Sequence, residues 1–166
     1  MPAFDEFIQA NERYAREFGE GELAAPPSRR VAVVTCMDAR LDPQAFLGLG
    51  LGDAHVIRNA GGRVSEDALR SLVISQRLLG TNEVLVVHHT DCGMATFEND
   101  DLREKIRADL GADASSIDFL TFSDLEESVR EDVATLRNSE LIPDDVSITG
   151  AVYEVETGRL REVSEV

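Results

Sequence analysis

The sequence predicts an α/β fold in three layers: a mainly parallel central sheet flanked by helices, with a C-terminal hairpin at the sheet's edge. Three observations carry this expectation. Short apolar runs, Val31-Ala32-Val33-Val34 and Val84-Leu85-Val86-Val87, read as strands buried on both faces. Segments with helical apolar spacing and recognisable caps lie before, between and after the strands. Strands that alternate with helices are joined by crossovers, and crossovers make neighbouring strands parallel. The 166 residues suit a single domain, 1–166, preceded within that range by a helical arm of about residues 1–25.

Phe4, Phe7, Ile8, Tyr14 and Phe18 cluster at near-helical spacing, so 4–18 is read as the arm's helix. Ala24-Ala25-Pro26-Pro27-Ser28 then breaks it. Such a helix packs either on its own sheet or on another surface, such as a second subunit. Strand one is expected at 31–35, followed by a short helix opened by Pro43 and running to Leu47. A second strand at 54–58 leads into Asn59-Ala60-Gly61-Gly62. A helix over 65–79 has Ser65 as N-cap, Glu66 and Asp67 at its positive start, and Gly80 as C-terminal stop. Leu69, Leu72, Val73 and Leu79 are its core face. Strand three spans 83–88, and 94–110 holds one or two helices, with Glu98-Asn99-Asp100-Asp101 as a solvated helix start. Ser123 and Glu126 form a capping box for a helix whose stripe is Leu125, Val129, Val133 and Leu136. A strand over 146–156 and a turn at Thr157-Gly158 lead to a last short strand at 159–163.

Composition narrows the function. Thirty-two acidic residues against sixteen basic ones give a net charge of −16. Binding to nucleic-acid phosphates needs clustered Lys and Arg, so this class is excluded. No apolar stretch approaches the roughly 18 residues that span a membrane. The first twenty residues lack the basic and long apolar regions of a signal peptide, so a cytoplasmic location is expected. Lys105 is the only lysine. The acidic, arginine-biased surface fits either a halophile's high-salt cytoplasm or the host genome's base composition.

Chemistry concentrates in two stretches, each at the end of an expected strand: Thr35-Cys36-Met37-Asp38-Ala39-Arg40 and His88-His89-Thr90-Asp91-Cys92-Gly93. Parallel strands present functional residues at their carboxyl ends. Cys36, His89 and Cys92 therefore meet at one sheet edge. Two thiolates and one imidazole form a three-ligand zinc set with a fourth position open, the arrangement of catalytic rather than structural zinc. If 36–40 stays extended, Cys36, Asp38 and Arg40 share one side. Asp38 is then placed to accept a proton beside the metal, and Arg40 to hold that carboxylate ionised. Gly93 lets the backbone turn closely beneath the ion. His88 is expected to point to the opposite face as a satisfied core histidine, and His55 to be structural. Arg58 is either a salt-bridge partner or an anion contact.

These motifs resemble those of the β-class carbonic anhydrases, which show Cys-x-Asp-x-Arg after a first strand and His-x-x-Cys-Gly after a later one. The match includes Val56-Ile57-Arg58-Asn59-Ala60-Gly61-Gly62 and covers about residues 30–97, with the chain length of the compact prokaryotic branch. The resemblance implies reversible hydration of carbon dioxide to bicarbonate and a proton. It implies one zinc ion per subunit on Cys36, His89 and Cys92, with Asp38 and Arg40 as catalytic residues. It also implies a homodimer or larger homo-oligomer, in which 59–62 lies near a neighbouring site, and an Asp38 that can swing onto the metal. Hydrolysis of carbonyl sulfide or carbon disulfide on the same zinc is the near alternative. A non-catalytic zinc protein would have no use for Asp38 and Arg40. A redox protein would need a Cys36–Cys92 disulfide.

Overall fold

The structure is a computed structural model that describes residues 3–164. Met1, Pro2, Glu165 and Val166, included in the expected domain and arm, lie outside the described residues. Five strands form one sheet: β1 (Val31–Cys36), β2 (Ala54–Asn59), β3 (Glu83–His89), β4 (Ser147–Tyr153) and β5 (Leu160–Glu162), in the order β2-β1-β3-β4-β5. The first four are parallel, and β5 returns antiparallel on β4 as the expected edge hairpin. Thr35 pairs with Val87 across β1 and β3, so the two motif-bearing strands are neighbours and end side by side.

One face of the sheet carries the main core. Ala32, Val34, Val84, Val86, Ile148 and Val152 alternate onto it. Against them pack Ala68 and Leu72 of α3 (Glu66–Leu79) and Val129, Val133 and Leu136 of α5 (Leu125–Arg137), each at helical spacing. Ser65 caps α3 by accepting from the Ala68 amide at 3.3 Å, and Gly80 ends it in the left-handed conformation, as its sequence signals require. Leu69 and Val73 pack at the margin of this core, while Ser75 and Gln76 are buried where Leu79 was expected to be.

Two boundaries differ from expectation. Asp124, not Ser123, caps α5: its carboxylate accepts from the Glu127 amide at 2.9 Å. Glu126 meanwhile binds Arg130 and Arg161 instead of reaching back to complete a capping box. The expected strand 146–156 stops at Tyr153, because Glu154 accepts the Thr157 and Gly158 amides and begins the hairpin turn.

The opposite face is thinly covered. Its layer is α2 (Pro43–Leu47), whose Phe46 and Leu47 sit on Val33, Val87 and Ala151 and whose Phe46 ring stacks on Tyr153 at 4.4 Å. Val31, Val56 and Leu85 of this face remain only half-buried. The arm helix α1 (Ala3–Glu17) does not supply the missing cover, as it has no buried residue. The segment 94–110 resolves into a single 3-10 turn at Gly93–Ala95 and one helix, α4 (Asn99–Leu110).

Candidate metal centre and its carboxylate

Cys36 is the last residue of β1 and His89 the last of β3, and Cys92 follows one turn later. Their ligand atoms lie within 4.8 Å of one another, and all three residues are buried. Both cysteines are free, so no disulfide occupies the site.

The local chain shapes each ligand. His89 Nδ1 donates to the Thr90 carbonyl at 2.8 Å, which fixes the proton on that nitrogen and leaves Nε2 with a bare lone pair. Nε2 is buried and has no hydrogen-bond partner among the described residues. An orphaned acceptor beside two sulfurs is costly unless a cation fills the gap. The thiols share this need. A hydrogen bond from Cys92 pulls the Cys36 thiol far below its usual range, assisted by His89 and by the Asp38 and Gly61 amides. The same hydrogen bond, with burial, pushes Cys92 up. The two sulfurs are thus set for opposite charge states, and binding a divalent cation as thiolates releases their protons. Burial opposes a charged His89 ring, but Cys36, the Thr90 carbonyl and Asp38 outweigh it and shift the ring upward, as expected beside negative charge. This donor set fits zinc.

Asp38 stands next to that space, its Oδ2 being 3.9 Å from His89 Nε2. The expected extended run from Cys36 to Arg40 is absent. β1 ends at Cys36, and the chain turns so that the Leu41 amide donates to the Asp38 carbonyl and the Arg40 amide to Asp38 Oδ1 at 2.9 Å. The turn, not strand alternation, brings the side chains together. Arg40 still grips Asp38 in the bidentate way its charge suggests, Nε to Oδ1 at 3.0 Å and Nη2 to Oδ2 at 2.7 Å. These bonds hold the Asp38 carboxyl well below the usual carboxylate range.

Two sets of contacts go beyond the sequence reading. Arg58, read from the sequence as a salt-bridge partner or an anion contact, makes two backbone contacts: Nε donates to the Cys36 carbonyl at 2.9 Å and Nη2 to the Asp38 carbonyl at 2.7 Å, pinning the loop from β2. Asp91, between the two ligands of the second motif, accepts from Arg40 Nη1 at 2.7 Å. A charged residue enclosed by two ligands was the available signal for it. Gly62 is a third constraint: with φ +71, a Cβ there would lie 2.9 Å from the Cys36 nitrogen and 3.0 Å from the Val87 carbonyl. Gly62 thus packs on the backbone of Cys36 and of the strand that leads to His89.

His88 behaves as expected. It is buried on the α5 side and bonded to Ser128 (2.7 Å) and Asp132 (3.0 Å). His55 bonds Ser75 at 2.7 Å and lies away from the ligands on β2. The groove between α5 and β4 contains none of the metal-site residues.

An α/β sheet that delivers two sulfurs and an imidazole from adjacent strand ends, and sets an arginine-held carboxylate beside them, defines a catalytic-type zinc centre. Comparison with known proteins then gives the lineage. Residues 31–160 match the carbonic anhydrase family model. The chain is 43% identical over 164 residues to β-carbonic anhydrase 1 of Mycobacterium tuberculosis, covering 99% of each. A crystal structure of carbonic anhydrase from Streptococcus mutans is 57% identical, superposes with a TM-score of 0.95, and is covered over 99% of each chain. A carbon disulfide hydrolase of Acidianus sp. is 40% identical over 164 residues, with 85% of this chain and 80% of that one covered. The chain belongs to the β-carbonic anhydrase family, as its two motifs implied.

Proposed function

We propose that the protein catalyses reversible hydration of carbon dioxide to bicarbonate and a proton, with zinc held by Cys36, His89 and Cys92. The orphaned, buried His89 Nε2 facing two free thiols is the observation that carries the reading. Zinc held by Cys36, His89 and Cys92 would supply a Lewis acid that makes a water nucleophilic near neutral pH. Asp38 is the catalytic residue beside that site: its ionised Oδ2 accepts a hydrogen bond from the reacting water and orients the lone pair toward carbon dioxide. Arg40 keeps Asp38 ionised and fixed, and Arg58 keeps the loop carbonyls from moving under it. The deciding experiment is stopped-flow hydration of carbon dioxide on protein with confirmed stoichiometric zinc. Asp38→Ala is expected to lose about 100- to 10,000-fold with zinc retained. No rate above background in the parent would transfer the assignment to carbon disulfide or carbonyl sulfide hydrolysis, since carbon disulfide hydrolases are also relatives.

Residues 1–166 form one domain with an N-terminal arm of about 1–25, and the working unit is a homodimer or larger homo-oligomer in the cytoplasm. The arm supports the assembly: Phe4, Phe7, Ile8, Tyr14 and Phe18 are all exposed, while Val31, Val56 and Leu85 wait half-covered on the thin face of the sheet. A second copy whose arm lies on that face would bury both. Light scattering on the full chain, beside a Phe7→Glu variant, tests this: a monomeric parent would overturn it. Among the described residues no helix is long and apolar enough to cross a membrane. Activity and stability that rise in molar KCl would support a halophilic host, and equal behaviour in dilute buffer would remove it.

A further inference from the structure

The Arg40 guanidinium is shared between two carboxylates. Nε and Nη2 hold Asp38; Nη1 donates to Asp91 Oδ2 at 2.7 Å, and Nη2 also reaches the Asp91 carbonyl at 3.0 Å. Arg40 and Asp91 are 51 residues apart, so this contact joins the loop after β1 to the loop after β3. Arg40 itself is about half-exposed, its side chain being 48% accessible. A flexible, half-solvated arginine gripping one carboxylate from one side would move with that carboxylate. Asp91 removes this freedom by holding the far edge of the guanidinium. Its backbone reinforces the point: Asp91 has φ +55, a left-handed conformation that non-glycine residues adopt at a cost but that aspartate tolerates. That conformation presents both its carboxylate and its carbonyl to Arg40.

We propose that Asp91 is a positioning residue. It anchors Arg40, and through Arg40 keeps Asp38 beside the metal position without becoming a ligand to it. Asp38 Oδ2 is already only 3.9 Å from the ligating nitrogen of His89. Released from Arg40, its charge would draw it the short distance to a cation held by Cys36, His89 and Cys92, closing the open position. Asp91 thus favours the open arrangement of the site without touching the reacting atoms. The inference rests on the reading of Asp38 and Arg40 as the catalytic pair.

The test uses zinc-loaded and cobalt-loaded full-length protein carrying Asp91→Gly, Asp91→Asn, Asp38→Ala, and Asp38→Ala combined with Asp91→Gly. Glycine removes the carboxylate while accepting φ +55, and asparagine keeps an oxygen that can accept from Nη1. For Asp91→Gly, kcat is expected to fall about tenfold with KM within about twofold, because a misplaced group acts on the reacting complex more than on substrate capture. Azide, followed by the visible spectrum of the cobalt form, is expected to bind about tenfold more weakly, because Asp38 now competes for its position. Asp91→Asn is expected to restore most of both. In the Asp38→Ala background, adding Asp91→Gly is expected to change azide affinity by less than about twofold, since the competitor is gone. Unchanged kcat and azide affinity in Asp91→Gly would overturn the proposal. So would loss of metal from that variant, or equal losses with and without Asp38. If Asp38→Ala itself keeps full activity, the catalytic-pair reading fails, whatever Asp91→Gly does.

Discussion

The carboxyl end of the sheet and the N-terminal arm are opposite kinds of structure in one chain. At the sheet's end, one guanidinium touches two carboxylates, another takes two backbone carbonyls, and a glycine is pressed against the backbone of two strands. α1 has five large apolar side chains exposed or at its boundary and no buried residue. The first region is over-determined by contacts within the chain, which is what a preformed metal site requires. The second has the apolar spacing of a helix that needs a packing partner, and among the described residues none of its side chains is buried. Contacts are concentrated around the candidate metal site, and the apolar surface of the arm is left exposed.

The contrast is broken most strongly at Gly62. Gly62→Ala combines a left-handed backbone with contacts near 2.9 Å to the backbone of Thr35 and Cys36. A loss of about 2–6 kcal/mol is expected, together with loss of metal, measured by denaturant unfolding and metal analysis. Gly150→Ala strikes the same sheet on its core side, where the new Cβ would lie 2.5 Å from Val129 Cγ1. Val129 can shift, so about 1–3 kcal/mol is expected, with zinc retained.

Removing the metal sharpens the comparison. The ligands are set by strands that pair without it, so the chelated protein should keep its circular dichroism spectrum while two thiols per chain become reactive and the melting temperature falls. Collapse of the spectrum on chelation would show that the metal, not the sheet, organises this end. The pH profile tests the charges. Asp38's folded pKa is depressed by Arg40, so its stabilising interaction is complete above about pH 4 and is lost only as the pH falls further. The depressed carboxylate is ionised at neutrality, and its swing onto the metal, which the family resemblance implies, is one of two causes of an activity that rises with pH. Two thiolates neutralise the ion and acidify its water less than imidazoles would, so hydration should rise above neutral pH. A profile flat from about pH 6 to 9 would contradict this. The smallest effect belongs to the arm. Phe7→Glu should change the stability of an isolated protomer by no more than about 0.5 kcal/mol, measured in dilute protein, even though it is expected to disrupt assembly.

The sequence by itself determined the features that are local. Runs such as Val84–Val87 specify strands because a short, mostly β-branched apolar run suits a parallel strand covered on both faces. Ser65 and Gly80 specify the ends of α3 because caps are settled within a turn of chain. Cys36, His89 and Cys92 were legible as a ligand set because parallel strands send their carboxyl ends to one edge. Tertiary structure decided whatever depends on residues distant in sequence: the tie from Arg40 to Asp91 across 51 residues, the hold of Arg58 on two carbonyls, and the turn that replaces extension at Asp38. It also decided that no residue of α1's apolar face is buried among the described residues. A side chain's type sets which bonds it can make, but only the packed sheet sets which partner stands within 3 Å. That is why the ligands and the Asp38–Arg40 pair could be read from the sequence, and the ties of Asp91 and Arg58 that steady them could not.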